Sequence, residues 1–215
     1  MLFLVKNLTV FYRHIFSLAF IAVTFNVLSA NAATLTVDVT DAAKAPIENA
    51  VVYAEPTVKG NLPAAAAMIE QRGREFKPLV SVVQAGSNIS FPNFDSVRHH
   101  VYSFSPAKTF ELKLYSGVPA TPVLFDKAGT VVLGCNIHDF MVAFIHVVDT
   151  PYFAKTDKTG KAVLADLPKG NYVLKVWHYA QAKEKEIAEQ PLTVNDSQAV
   201  SLKLALKPFM LPVKK

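Results

Sequence analysis

Gly134-Cys135-Asn136-Ile137-His138-Asp139-Phe140-Met141 is the stretch from which the rest of the chain is read. It holds the only cysteine of the 215 residues, a histidine three positions on and a methionine three beyond that. Apolar runs flank it. Thr130 to Cys135 and Met141 to Val148 both read as strands, so the donors sit on a tight loop between them. Thiolate, imidazole and thioether are soft donors, and soft sulfur with imidazole favours copper. Two histidines, one cysteine and a weak axial methionine make up one kind of copper site, so a second histidine must come from elsewhere.

Outward from the loop the pattern is strand after strand. Upstream, Leu79 to Gln84, Asn88 to Phe91, His99 to Phe104, Thr109 to Tyr115 and Val123 to Phe125 are β-rich and separated by turn residues. Thr34 to Val39 alternates, and Ala50 to Tyr53 follows a turn from Asp41 to Pro46. Ala64 to Gln71, with four consecutive alanines, is the one expected helix. Downstream, Ala162 to Leu164, Tyr172 to Trp177 and Ala199 to Leu206 read as strands, the last ending the fold. Lys183-Glu184-Lys185-Glu186 reads as a solvated edge. Short strands with turns between them predict an all-β sandwich or barrel.

Residues 1–32 are of another kind. Lys6 and Arg13 precede an apolar run from Ile15 to Leu28, and Ser29-Ala30-Asn31-Ala32 ends it, the pattern of a secretory signal peptide. The run is short for a transmembrane span, which needs roughly 20 residues. Export to the periplasm or beyond is therefore expected, with no stable membrane insertion after cleavage. The segment carries two of the cations and no anion, which leaves +3 of the formal +5 for the remainder. So mild a charge argues against nucleic acid as a partner. A lone cysteine in an exported protein cannot close an internal disulfide, and metal ligation would protect it from oxidation.

The candidate histidines are His99, His100, His146 and His178. His99 and His100 are neighbours on a strand, where successive side chains point to opposite faces, so at most one of them faces a given metal. His146 lies in an apolar strand and reads as a core or edge histidine; His178 follows Trp177 at a strand end and reads as a surface one. The plain alternative for the loop is a buried structural Cys135 with a surface His138 and a core Met141.

The run Phe91-Pro92-Asn93-Phe94-Asp95-Ser96-Val97-Arg98-His99-His100-Val101 resembles the segment of plastocyanin-type cupredoxins that carries their first histidine ligand, with Asn93 six residues before His99. Cys135-x2-His138-x2-Met141 is similar to the short ligand loop of amicyanin. The chain from Phe91 to Trp177 resembles exported cupredoxin-like proteins labelled methylamine utilisation proteins, also through Leu133 to Met141 and Asp149-Thr150-Pro151-Tyr152-Phe153. The resemblance implies a Greek-key β-sandwich with His99, Cys135, His138 and Met141 as ligands of a copper that cycles between Cu(I) and Cu(II). It also implies a solvent-facing edge of His138, among Ile137, Phe140 and Pro119, for transient docking of redox partners. Two positions depart from the family pattern. Arg98 replaces a proline, and its cation would favour Cu(I); His100 replaces an asparagine that helps tie the ligand loops together.

Other chemistries have less support. A closed zinc site wants more cysteines and histidines, no Gly-rich phosphate loop is present, and a Cys135–His138 nucleophile pair lacks an orienting third group. The expected function is an exported type 1 copper protein that carries single electrons and is not an enzyme. The alternatives are a copper-sequestering or copper-delivery protein and a metal-free β-sandwich interaction module. Residues 33–57 and 149–215 together look like a carboxypeptidase regulatory-like β-sandwich, split by a copper domain over 58–148; a single extended sandwich is the other reading.

Overall fold

The alternation from Thr34 onward becomes β1 (Ala33–Thr40), which buries Ala33, Leu35, Val37 and Val39 on one face. The structure, a computed structural model, describes residues 32–58, 63–119, 121–182 and 187–213. The signal-like segment and the charged run 183–186 lie outside the described residues, apart from Ala32. Every regular element among the described residues is a strand. After β1 come β2 (Val51–Pro56), β3 (Ala67–Met68), β4 (Glu70–Gln71), β5 (Phe76–Lys77), β6 (Val80–Gln84) and β7 (Ser87–Ser90). The chain continues through β8 (His99–Ser105), β9 (Lys108–Tyr115), β10 (Val123–Phe125), β11 (Gly129–Cys135) and β12 (Val142–Val148). It closes with β13 (Phe153–Lys155), β14 (Lys161–Leu167), β15 (Gly170–Trp177), β16 (Ala188–Val194) and β17 (Gln198–Lys203).

Two sheets, ordered β6-β12-β11-β8-β9 and β10-β7-β3, share one apolar core. Phe91, Val101, Phe125, Val131, Leu133, Ala143 and Ile145 fill it, and Cys135 and Met141 belong to it. Two others, β14-β1-β17 and β13-β2-β15-β16, share a second core of Leu35, Val37, Val52, Leu164, Leu174 and Val176. Here β1 pairs antiparallel with β14 and parallel with β17, strands far from it in sequence.

A third cluster lies where these bodies meet. β12 sends Ala143, Ile145 and Val147 into the first core, and Phe144 and Val148 to the other side, onto Val51, Tyr53 and Trp177. A strand buried on both faces has no reason to alternate, which explains the unbroken apolar run there. His146 rises on that second face and stacks on Trp177, ring centroids 4.5 Å apart. The fold does not end at Leu206: Phe209 packs edge-on against Phe144 and Tyr179.

Two expectations fail and one strand goes unread, each for an identifiable reason. The helix over Ala64–Gln71 is absent; β3 instead lies parallel to β7, β4 pairs with β5, and Ile69 is fully buried. Helix propensity is a weak prior that tertiary pairing overrides. Pro191 hides β16 in the sequence, but β16 is the edge of its sheet, where a missing N–H costs no ladder bond. His178 is buried rather than on the surface: its Nδ1 accepts the Ala180 N–H at 3.1 Å, and its ring stacks on Tyr179 at 4.2 Å.

Candidate metal centre

Alternation along β8 decides which histidine turns inward. His99, Val101 and Ser103 are buried, while His100, Tyr102 and Phe104 are less so. The β8–β9 pairing slips by one residue between His99 and Val101, the kind of irregularity that re-aims a side chain beside a site. On β11 the buried set is Val131, Leu133 and Cys135, which brings the cysteine to the inner face at the strand's end. Cys135 pairs with Val101 and Gly134 with Tyr102. A methyl group at Gly134 would lie 2.7 Å from the Tyr102 ring, so the glycine lets that ring cover the strand next to the cysteine.

The loop after β11 folds back at once. The Met141 N–H donates to the His138 carbonyl at 2.9 Å, a single turn between the two residues. The Asn136 N–H donates to the His100 carbonyl at 3.3 Å, which ties the loop to β8. His99 Nδ1 then lies 3.8 Å from Cys135 Sγ, and the His99 and His138 rings are 5.1 Å apart. The donor atoms of His99, Cys135 and His138 all lie within 4.8 Å of one another. A metal with bonds of roughly 2.0–2.3 Å at tetrahedral to trigonal angles separates nitrogen from sulfur by about 3.5–3.8 Å. The His99–Cys135 spacing therefore fits an ion held between them. Met141 is buried in the same cluster as Cys135.

Burial differs across the donors. His99 and Cys135 are closed off from solvent, His138 is half-buried, and Ile137 beside it is half exposed. Phe140 lies 5.6 Å from the His138 ring. Pro119 is half-buried. His100 is not among the converging donors. Its Nε2 is 2.8 Å from Glu111 Oε1, a close approach without hydrogen-bond alignment. The tie between β8 and the loop is thus the backbone bond from Asn136, not the His100 side chain. Arg98 is exposed, so water screens its cation.

Asp95 is the residue sequence reading passed over. Its Oδ2 lies 2.9 Å from His99 Nε2, on the side of the ring away from the cysteine. The backbone N–H of Gly73 donates to Oδ1 at 2.6 Å and that of Arg74 to Oδ2 at 2.9 Å. Burial works against its charge, but the bonds from Arg74, His99 and Gly73 outweigh it and hold the carboxyl below the usual carboxylate value. Asn93 braces the segment: its Nδ2 donates to the carbonyls of Val97 and Tyr115 at 2.9 and 3.0 Å, and its Oδ1 accepts the Asp95 N–H at 2.9 Å. Tyr115, opposite His99 on β9, donates to the Phe91 carbonyl at 2.7 Å, and desolvation pushes its hydroxyl up to about 12. The sequence signal for Asp95 was its place four residues before a ligand candidate. The other half of the arrangement, the Gly73–Arg74 turn, is twenty-odd residues away and visible only in the fold.

One cysteine sulfur and two imidazoles converging at a largely buried spot point to copper. No protein-family model matches the chain, and no curated protein matches it. Among solved structures, it is similar over 45% of its length to a copper-containing nitrite reductase from Thermus scotoductus, at 22% identity and TM-score 0.37. The chain spans 26% of that reductase. A purple cupredoxin from Nitrosopumilus maritimus matches 38% of the chain and 99% of its own length, at 20% identity and TM-score 0.34. A pseudoazurin from Hyphomicrobium denitrificans matches 43% of the chain and 88% of its own length, at 19% identity and TM-score 0.34.

Proposed function

We propose that this chain is an exported type 1 copper protein that passes single electrons between redox partners. His99, Cys135 and His138 hold the metal and Met141 supplies a weak fourth bond. The observation that carries the reading is the convergence of two imidazoles and the only cysteine within 4.8 Å, on two strands and one short loop. Bound copper would supply a one-electron couple, which none of these side chains has alone. The residues supply the rest. His99 on β8 and Cys135 on β11 are fixed by cross-strand pairing, so these two donors would keep their places in both oxidation states of a bound copper. Small movement keeps the reorganisation cost of each transfer low. Burial of Cys135 keeps water off the sulfur, and the Met141 thioether would tune the potential of a bound copper. With Met141 as a fourth donor the ion would have no open position for a substrate, as suits a carrier rather than a catalyst.

His138 is the exit. Its half-buried ring, with Ile137 and Phe140, makes a small apolar surface suited to brief docking. We further propose that residues 58–148 form the copper domain, inserted between 33–57 and 149–215. The two separate cores and the pairing of β1 with β14 and β17 support the division. Residues 1–32 carry the export signal, a reading supported by the sequence pattern.

Copper titration of the mature protein tests the function. The expected result is one equivalent of Cu(II), an intense visible thiolate-to-copper band, and reversible bleaching by a mild reductant. A colourless, tight Cu(I) complex without a reversible couple would replace electron transfer by copper delivery. Absence of stoichiometric copper would leave a metal-free β-sandwich.

A further inference from the structure

We infer that Asp95 is a positioning residue that acts through His99: it fixes the tautomer presented to the metal and biases the site toward the oxidised ion. The inference rests on the copper reading above. Two distances carry it. The Asp95 carboxylate is 2.9 Å from His99 Nε2, while the opposite ring nitrogen, Nδ1, is 3.8 Å from Cys135 Sγ. A carboxylate accepts and cannot donate, so it requires the proton on Nε2 and leaves the Nδ1 lone pair directed at the sulfur. An outer carboxylate of this kind also makes the imidazole a stronger donor. A fixed negative charge on the ring favours the ion of higher charge, Cu(II) over Cu(I).

The carboxylate cannot easily swing away. Gly73 and Arg74 have φ of +69° and +59°, and their successive N–H groups both point at it, at 2.6 and 2.9 Å. Consecutive backbone N–H groups of this sort form an anion-holding concavity. The turn between β4 and β5 is held in turn against 93–95: the Phe94 N–H donates to the Gln71 carbonyl at 2.9 Å, and the Arg72 guanidinium lies 4.6 Å over the Phe94 ring. Residues 70–77, which hold no ligand, therefore set the orientation of one.

The test uses Asp95→Asn, which keeps an oxygen acceptor and the shape but removes the charge, and Asp95→Ala, which removes both. Cu(II) affinity should fall at least tenfold in Asp95→Asn while Cu(I) affinity stays within about twofold. That tenfold change is a rise of about 59 mV in the midpoint potential for a one-electron couple. In the metal-free protein, the ring-nitrogen resonances of His99 should show the Nε2–H tautomer, and in Asp95→Ala a mixture. A wild-type potential in Asp95→Asn, or equal losses for Cu(I) and Cu(II), would reduce Asp95 to a structural brace and overturn the inference. If the wild type shows no reversible couple, the electron-transfer reading falls instead. The tautomer measurement, which needs no metal, then judges Asp95 by itself: an unchanged tautomer in Asp95→Ala sinks it. Should Asp95→Ala fail to fold, the Asp95→Asn affinities decide.

Discussion

Adjacent residues of a strand face opposite ways, and this separates the two neighbouring imidazoles on β8. His99 is sealed inside against Cys135, while His100 lies against half-exposed Glu111. His99→Ala should abolish the visible band of the copper-loaded protein. His100→Ala should keep it and cost less than about 1 kcal/mol in urea denaturation, since Glu111 is half exposed and its contact with the ring lacks hydrogen-bond alignment. Loss of colour in His100→Ala alone would hand the ligand role to the other ring. Sequence alone names these donor candidates, because the spacing of Cys135, His138 and Met141 is local and a short loop must keep them together. It leaves the choice between His99 and His100 open until a resemblance or an inward face decides. It is silent on Asp95, whose role needs a distant turn to arrive beside it. It misplaces His178, which a strand-end position suggests is exposed but which the chain beyond it covers.

Elements with one wet face announce themselves by alternation, as β1, β8 and β11 do. β12 was equally visible as an apolar strand, yet nothing in its run said that both faces would be covered. The short β3 and β4 lacked any such signal, and four alanines spoke for a helix that pairing with β7 and β5 then displaced. The second face of β12 carries a titratable group. His146 lies between Trp177, stacked at 4.5 Å, Tyr53 at 5.5 Å, and the Thr130 hydroxyl at 3.2 Å from its Nδ1. Burial lowers its pKa to about 4 from an ordinary 6.5. The unfolded chain therefore takes up a proton that the folded chain refuses between those values. Stability should be full above about pH 6.5, decline as pH falls toward 4, and lose up to about 3 kcal/mol from this ring. Denaturant midpoints at pH 4.5 and 7 measure the drop. His146→Phe, which keeps a ring against Trp177, should flatten it; an equally steep drop in that variant would assign the acid sensitivity to other groups.

At the scale of the whole molecule, two cores meet across one apolar seam. Val51, Tyr53 and Trp177 come from one side, and Val80, Phe144 and Val148 from the other. Lys155 reaches across it to the Val80 carbonyl at 3.0 Å, and Phe144 stacks on Tyr179 at 4.7 Å. Buried residues of this size each contribute about 1.5–3 kcal/mol, so parting the bodies would expose several such side chains at once. That cost is comparable to the stability of a small domain, which predicts that neither body unfolds alone. The chain supplies its own two reporters: Trp177, the only tryptophan, lies at the seam, and Cys135, the only cysteine, lies inside the metal-binding body. In rising urea, Trp177 fluorescence and the reactivity of the Cys135 thiol in metal-free protein should change at the same midpoint. Phe144→Ala removes the largest ring of the metal-side face and should cost about 3–5 kcal/mol. With the seam weakened, the tryptophan signal should move to lower urea than the thiol signal. Separate midpoints already in the wild type would mean that the seam does not couple the bodies. The pH response of His146 would then report only the local opening of that contact.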